Sequence, residues 1–348
     1  MKSLAIALLS ASALLVLSTL AHAGKSDGRL DIYFLDVEGG ASTLIVTPAG
    51  ESLLVDTGNP GTRDPSRILA AAKTAELSKI DYLVITHFHT DHFGGAAELA
   101  KLIPIGTLYD NADKNENRAN EKPSQAYLDM KVDKRLMINP GDTIPLKQAD
   151  NATTKLTIQC LAARKSFIDA PKDARPNPFA DQARNKPIDG SDNANSIVQL
   201  LSFGDFRFYD GGDVTWNIEN QLVTPLNRVG TVDVYQVTHH GLAQSNSPAL
   251  VKALEPTVAI MNNGTTKGCE PETFATLKAT PSIKDLWQLH KNLRPDGTTN
   301  NTTPDLIANE DRNCKGNYIK LSISPDSASY TVSIPSTNTT KTYQTRKH

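Results

Sequence analysis

Along most of the chain, apolar residues fall in short runs broken by Gly, Pro and Asn, and helical spacing is confined to the stretches between them. RLDIYFLDV (Arg29 to Val37), STLIVTP and ESLLVDTG read as three strands, the last two joined by a turn at Pro48-Ala49-Gly50. Pro65 opens a helix in SRILAAAKTAEL. The strand IDYLVIT follows, then a helix start in GGAAELAKL and a short strand near IGTLYD. From Ala163 to Asp192 the chain is rich in Pro, Asp, Asn, Lys and Arg, lacks an apolar period, and reads as one long loop. The second half resumes the style of the first. KLTIQCL is strand-like, and SIVQLLSF and FRFYDGG form a hairpin at Gly204-Asp205. VDVYQVT and TVAIMNN are strands around the helix PALVKALE, and the helix PETFATLKA precedes a short strand, DLWQLH. NYIKLSIS and SYTVSI close a last hairpin across Pro325-Asp326.

Strands that come first and then alternate with helices predict an α/β fold of two sheets with helices packed outside, not a doubly wound parallel sheet. One domain over residues 29–335 accounts for these elements, followed by a mobile polar tail at 336–348. Ahead of the domain, Lys2, an apolar run from Leu4 to Leu20 and Ala21-His22-Ala23 have the layout of a signal peptide cleaved after Ala23. The run is short for a spanning helix, so export to the periplasm or the exterior is expected, with no later membrane span.

A formal net charge of −2 and the lack of a Lys/Arg stripe exclude an obligate basic nucleic-acid surface. They do not exclude a nuclease, because a metal can hold a phosphate. The three cysteines fit no cysteine-based metal spacing. Cys160, inside a strand, reads as a buried thiol, while Cys269 and Cys314 sit in polar stretches where a disulfide is one option in an oxidising compartment.

The densest chemistry is ITHFHTDHFGG (Ile85 to Gly95), which holds three of the eight histidines and an aspartate within six positions. Imidazole and carboxylate suit zinc and its borderline neighbours. An apolar strand delivers the cluster and a helix follows it, a context that a solvated histidine-rich loop does not require. His87 and His89 alternate as on a strand and can reach one metal; Asp91 and His92 can reach a second. Two adjacent ions would activate water and clamp an anionic oxygen.

This H-x-H-x-D-H run resembles the signature of the metallo-β-lactamase superfamily, whose further landmarks appear in order over almost the whole chain beyond residue 23. The resemblance implies a four-layer αββα sandwich with the metal cleft at one edge of the two sheets. It implies that Asp56, in Asp56-Thr57-Gly58, supports the metal loop from behind. It implies that Asp213, in Gly212-Asp213, bridges the ions in preference to the nearby Asp210. A histidine of Thr238-His239-His240-Gly241 would complete the second site, and which of His239 and His240 binds stays open. The His-His-Gly run and FLDVEGGASTLIVTPAGESLLVDTG are similar to the ComEC-type branch, although Glu38-Gly39-Gly40-Ala41 replaces that branch's Gly-Gln-Gly-Asp.

No histidine lies between His92 and His239, so the usual third imidazole of the first ion is missing. In its region Asn195 either supplies an oxygen ligand or contacts substrate, or else Asn193 and Asn195 merely form a turn. His290, closing DLWQLH, is a candidate general acid or oxyanion contact, against a structural role at a strand end. Asp91 is the candidate for orienting the attacking hydroxide. The expectation is an exported hydrolase using a metal-activated hydroxide, with zinc as default ion and manganese or iron as alternatives. Its expected substrate is a phosphodiester, small or polymeric, with ester, lactone or lactam hydrolysis as runner-up. From another class stands a secreted metal- or carbohydrate-binding module without turnover, against which the retained Asp91, Asp213 and histidine pair argue.

Overall fold

A computed structural model describes residues 27–111, 122–150 and 152–348, so the expected signal segment lies outside the described residues. The chain builds one sheet, then a second, and finally returns to the first. β1 (Leu30–Phe34), β2 (Thr43–Val46) and β3 (Ser52–Val55) pair antiparallel. β4 (Ile80–Val84), β5 (Ile105–Asp110) and β6 (Lys134–Met137) then add in parallel.

The second sheet repeats this plan. β7 (Leu156–Ala163), β8 (Ser166–Phe167), β9 (Val198–Phe203) and β10 (Phe206–Asp210) are antiparallel. β11 (Val234–Gln236), β12 (Val258–Met261), β13 (Asp285–His290) and β14 (Ile307–Asn309) are parallel. β15 (Ile319–Ile323), β16 (Ser329–Ile334) and β17 (Thr339–Gln344) then extend the first sheet beyond β1.

Parallel neighbours need crossovers, and helices supply most of them. In chain order these are α1 (Arg63–Thr74), the single turn α2 (Thr90–Phe93), α3 (Ala96–Leu102), α4 (Gln125–Leu128), α5 (Trp216–Val223), α6 (Pro248–Leu254) and α7 (Pro271–Lys278).

Alternation along the strands sorts the layers. Leu30, Ile32 and Phe34 of β1 face inward and join Phe208, Val258, Ile260 and Trp287 of the other sheet in one core. Tyr33 and Leu54 face outward and share a core with Ile68 of α1 and Leu99 of α3. On the far side, Ala259 and Met261 pack with Leu222 of α5, Leu250 of α6 and Phe274 of α7. The result is the αββα sandwich. Phe34 and Phe208, with ring centroids 5.7 Å apart, join the two sheets, and truncating either to alanine should cost about 3–5 kcal/mol.

One expectation is corrected and one open option is closed. The polar tail is not loose: Thr339–Gln344 is an edge strand, because Tyr343 stacks on Tyr330 at 5.2 Å and its hydroxyl donates to Asp285. The Cys269–Cys314 disulfide is not formed. The Cys269 thiol is buried 2.9 Å from the Asn300 carbonyl, while Cys314 lies 3.0 Å from Asp36 Oδ2. The 163–192 stretch is largely irregular, with the short β8 and one 3-10 turn at Ala180–Gln182. Among the described residues no helix is long and apolar enough to cross a membrane.

Candidate metal centre

Beyond β4 the backbone stays extended, so the side chains of His-Phe-His point to alternate sides. Phe88 goes outward into an aromatic cluster with Phe93 and Tyr127, at centroid distances of 5.8 and 5.6 Å. That anchor turns His87 and His89 together to the opposite face, 4.7 Å apart. The turn of α2 then brings Asp91 and His92 round, and the His87 and His92 rings come within 4.1 Å. Gly40 presses on this loop so closely that a Cβ there would lie 2.4 Å from the Asp91 carbonyl. Asp192 braces it from the other side, accepting the Phe88 N–H at 2.7 Å.

The second sheet supplies the rest. Asp213 follows β10 across Gly212, whose φ of +54° suits glycine. Thr238–Gly241 follows β11, and both His239 and His240 are left-handed, with φ of 56° and 55°. That backbone, uncommon for non-glycine residues, lets two successive side chains both reach the cleft.

Asp213 Oδ2 is the hub. It lies 3.1 Å from His92 Nε2, 3.2 Å from His240 Nε2, 3.5 Å from His239 Nε2 and 3.9 Å from His87 Nε2. Asp91 Oδ2 is 3.2 Å from His240 Nε2 and 3.5 Å from His92 Nε2. Asp91, His92, Asp213 and His240 thus form one compact group with all donor atoms within 4.8 Å. His87 and His239 also face Asp213, and Asn193 Nδ2 lies 3.4 Å from His239 Nε2. His240 therefore stands with the Asp91–His92 group, and His239 with His87 and Asn193.

The hydrogen bonds behind the rings test whether these residues suit a metal. Thr86 Oγ1 donates to Asp56 Oδ2 at 2.7 Å, so toward His87 Nδ1, 3.1 Å away, it can only accept. Ser245 likewise spends its proton on the Val214 carbonyl and accepts from His239 Nδ1 at 3.1 Å. Asp56 accepts from His92 Nδ1 at 2.7 Å. In all three rings the proton is fixed on Nδ1 and Nε2 is left to present a lone pair to the hub, the arrangement metal-binding histidines need. His87 Nε2 and Asn193 Oδ1 are buried with no hydrogen-bond partner, which a cation would satisfy.

Charge agrees with geometry. Burial opposes ionisation of Asp213, yet His240, His92 and His239 hold its carboxyl well below the usual range. Burial likewise works against Asp91, but His92, His240 and Lys267 hold it low. Against its own burial, Asp213, Asp56 and Asp91 lift His92 well above ordinary imidazole, which shows how strongly these carboxylates draw positive charge, a proton or a metal ion, to its Nε2. The ionised carboxylates thus favour a cation in the cleft. Burial drives His87 far down, with His92 adding to the effect, and takes His239 to about 4.

Two expected site residues lie elsewhere. Asn195 turns away: its Nδ2 donates to Asp192 Oδ1 at 2.9 Å, because the 3-10 turn Asp192–Asn195 puts Asn193, not Asn195, toward the histidines. His290 is fully buried and pairs with Asp36 Oδ1 at 2.6 Å, outside the Asp213 group. Thr86, Ser245 and Lys267 are further site residues that the sequence pattern does not single out. Lys267, from the loop after β12, places its ammonium 2.5 Å from Asp91 Oδ2.

Residues 35–153 match the metallo-β-lactamase superfamily. A UPF0173 metal-dependent hydrolase of Cupriavidus necator is 38% identical over 78 residues, 22% of this chain and 24% of the relative. Recombination protein 2 of Haemophilus influenzae is 26% identical over 233 residues, 66% of this chain and 24% of its own. The chain thus spans about a quarter of the length of these curated relatives. Among solved structures, a subclass B3 metallo-β-lactamase from a soil metagenome library is 16% identical, with 77% of each chain covered and a TM-score of 0.34.

Proposed function

We propose that this chain is an exported, metal-dependent hydrolase of phosphodiesters, with zinc as the resident ion. The observation that carries the reading is the convergence on Asp213 of four imidazole Nε2 atoms, three of them with their protons pinned at Nδ1. Asp91, His92 and His240 would hold one ion and His87, His89, His239 and Asn193 would face the other, with Asp213 shared. A metal pair would supply Lewis-acid activation of water and neutralise charge building on the scissile group. The protein's own part is orientation. Asp56, Thr86 and Ser245 fix the rings, and Asp91 is placed to accept a proton from, and align, the attacking water.

The phosphodiester reading is supported by the long match to a relative named for recombination, and by Lys267, a cation beside Asp91 suited to an anionic substrate. Export rests on the signal-like residues 1–23. Purified mature protein should hydrolyse bis-p-nitrophenyl phosphate, and Asp213→Ala should abolish turnover and reduce bound metal. Turnover of nitrocefin with an inert phosphodiester would replace this reading by lactam hydrolysis.

A further inference from the structure

A second group of ligand-type side chains lies behind the Glu38–Gly40 turn. Asp36 follows β1, His290 ends β13, and Cys314 sits in the loop before β15, so both sheets and the C-terminal loop contribute. Their donor atoms all lie within 4.8 Å of one another. Asp36 Oδ1 is 2.6 Å from His290 Nε2, and Asp36 Oδ2 is 3.0 Å from Cys314 Sγ. Asp36 and His290 are buried, whereas Cys314 is partly exposed and leaves one side open. None of the three touches the Asp213 hub through a hydrogen bond or ion pair described above.

Two features suit this group to a cation. His290 Nδ1 is buried without any partner. The ring can carry its proton there and turn the Nε2 lone pair toward Asp36 and Cys314, exchanging the Asp36 bond for one to an ion whose binding also offsets the unpaired N–H. The second is charge. Arg67 lies 3.0 Å from Asp36 Oδ2 and 3.1 Å from Glu38 Oε1, and Arg63 pairs with Glu38 and Asp64. Three carboxylates against two guanidinium groups leave one negative charge in excess. A divalent ion together with a Cys314 thiolate brings that balance to zero. Arg67 Nη2, 3.6 Å from Cys314 Sγ, stands ready to steady the thiolate.

We propose that Asp36, His290 and Cys314 form a separate site for a thiophilic divalent cation of the zinc type. One nitrogen, one oxygen and one sulfur donor match zinc's preferences, and the exposed side offers a fourth position to water. On binding, the Cys314 S–H bond breaks, a sulfur–metal bond forms, and the proton leaves to solvent with no change of oxidation state. The ion would tie both sheets together behind the turn that presses on Asp91.

Cobalt(II) titration of the full chain tests this, because the Asp213 centre contains no sulfur. Wild type should develop a near-ultraviolet thiolate-to-cobalt charge-transfer band that Cys314→Ser lacks, while the variant still takes up cobalt at its histidine centre. Excess cobalt without that band, or a band that survives in Cys314→Ser, overturns the proposal and leaves a hydrogen-bonded network with Arg67 as its cation. A readout on unaltered protein accompanies it. Zinc should slow alkylation of Cys314, the one partly exposed thiol, by tenfold or more; an unchanged rate counts equally against the site.

Discussion

Asp56 accepts the Nδ1 proton of His92 at 2.7 Å while its other oxygen accepts the Thr86 N–H at 2.8 Å. One buried carboxylate thereby fixes both the tautomer of a ligand and the backbone that carries it. Asp56→Asn keeps an oxygen for only one of these duties. Metal affinity, measured by competition with a chromophoric chelator, should fall about 10–100-fold with the fold retained. Undiminished affinity would show that His92 needs no such support.

Asn193 and Asn195 give a paired test of the first-ion side. Asn193→Ala removes the buried amide beside His239 and should lower bound metal by close to one equivalent in protein purified without added metal. Asn195→Ala loses only its bond to Asp192, costing about 1 kcal/mol of stability and leaving stoichiometry intact. Equal metal content in the two variants would remove Asn193 from the centre.

Glu219 sets a pH dependence of folding. Its oxygens accept the N–H groups of Asn246 and Ser247, yet burial lifts its carboxyl from 4.5 to about 7. The folded chain therefore keeps a proton that the unfolded chain releases above 4.5. This contribution to stability is complete below that value and is lost as pH rises to about 7, on the order of 3 kcal/mol in all. Urea midpoints of wild type and Glu219→Gln, compared across that window, isolate the effect. Asp210, also lifted to about 7 by burial, is common to both proteins. Parallel pH slopes would contradict the assignment.

Tyr343 reports whether the last strand is docked. It stacks on Tyr330 and donates to Asp285, so Tyr343→Ala should destabilise the domain by about 3 kcal/mol, read as a lower urea midpoint. A midpoint equal to wild type would mean the tail contributes nothing.

What the sequence revealed follows from what local pattern can encode. Strands with a buried face, such as β1 and β12, announce themselves by apolar residues, and the ligand types in His87–His92 by their density. β6 escaped notice because as an edge strand it buries little, with Leu136 and Met137 each 45% exposed. β17 escaped because Thr-Thr-Lys-Thr reads as polar tail until Tyr343 finds Tyr330. Asn195 was preferred over Asn193 because spacing cannot say that a 3-10 turn rotates one of them away. Lys267 and the Asp36–His290 pair depend on contacts across more than a hundred residues, which no window of sequence contains.

The ligands of the centre come from both sheets, His87 to His92 from one and Asp213 to His240 from the other, so ion binding and cohesion of the sandwich are thermodynamically one event. Free metal at a hundred times its dissociation constant adds about 2.7 kcal/mol to the folded state. If the centre takes up its ions as proposed, the chain's resistance to unfolding would rise and fall with ion supply, even when no substrate is present.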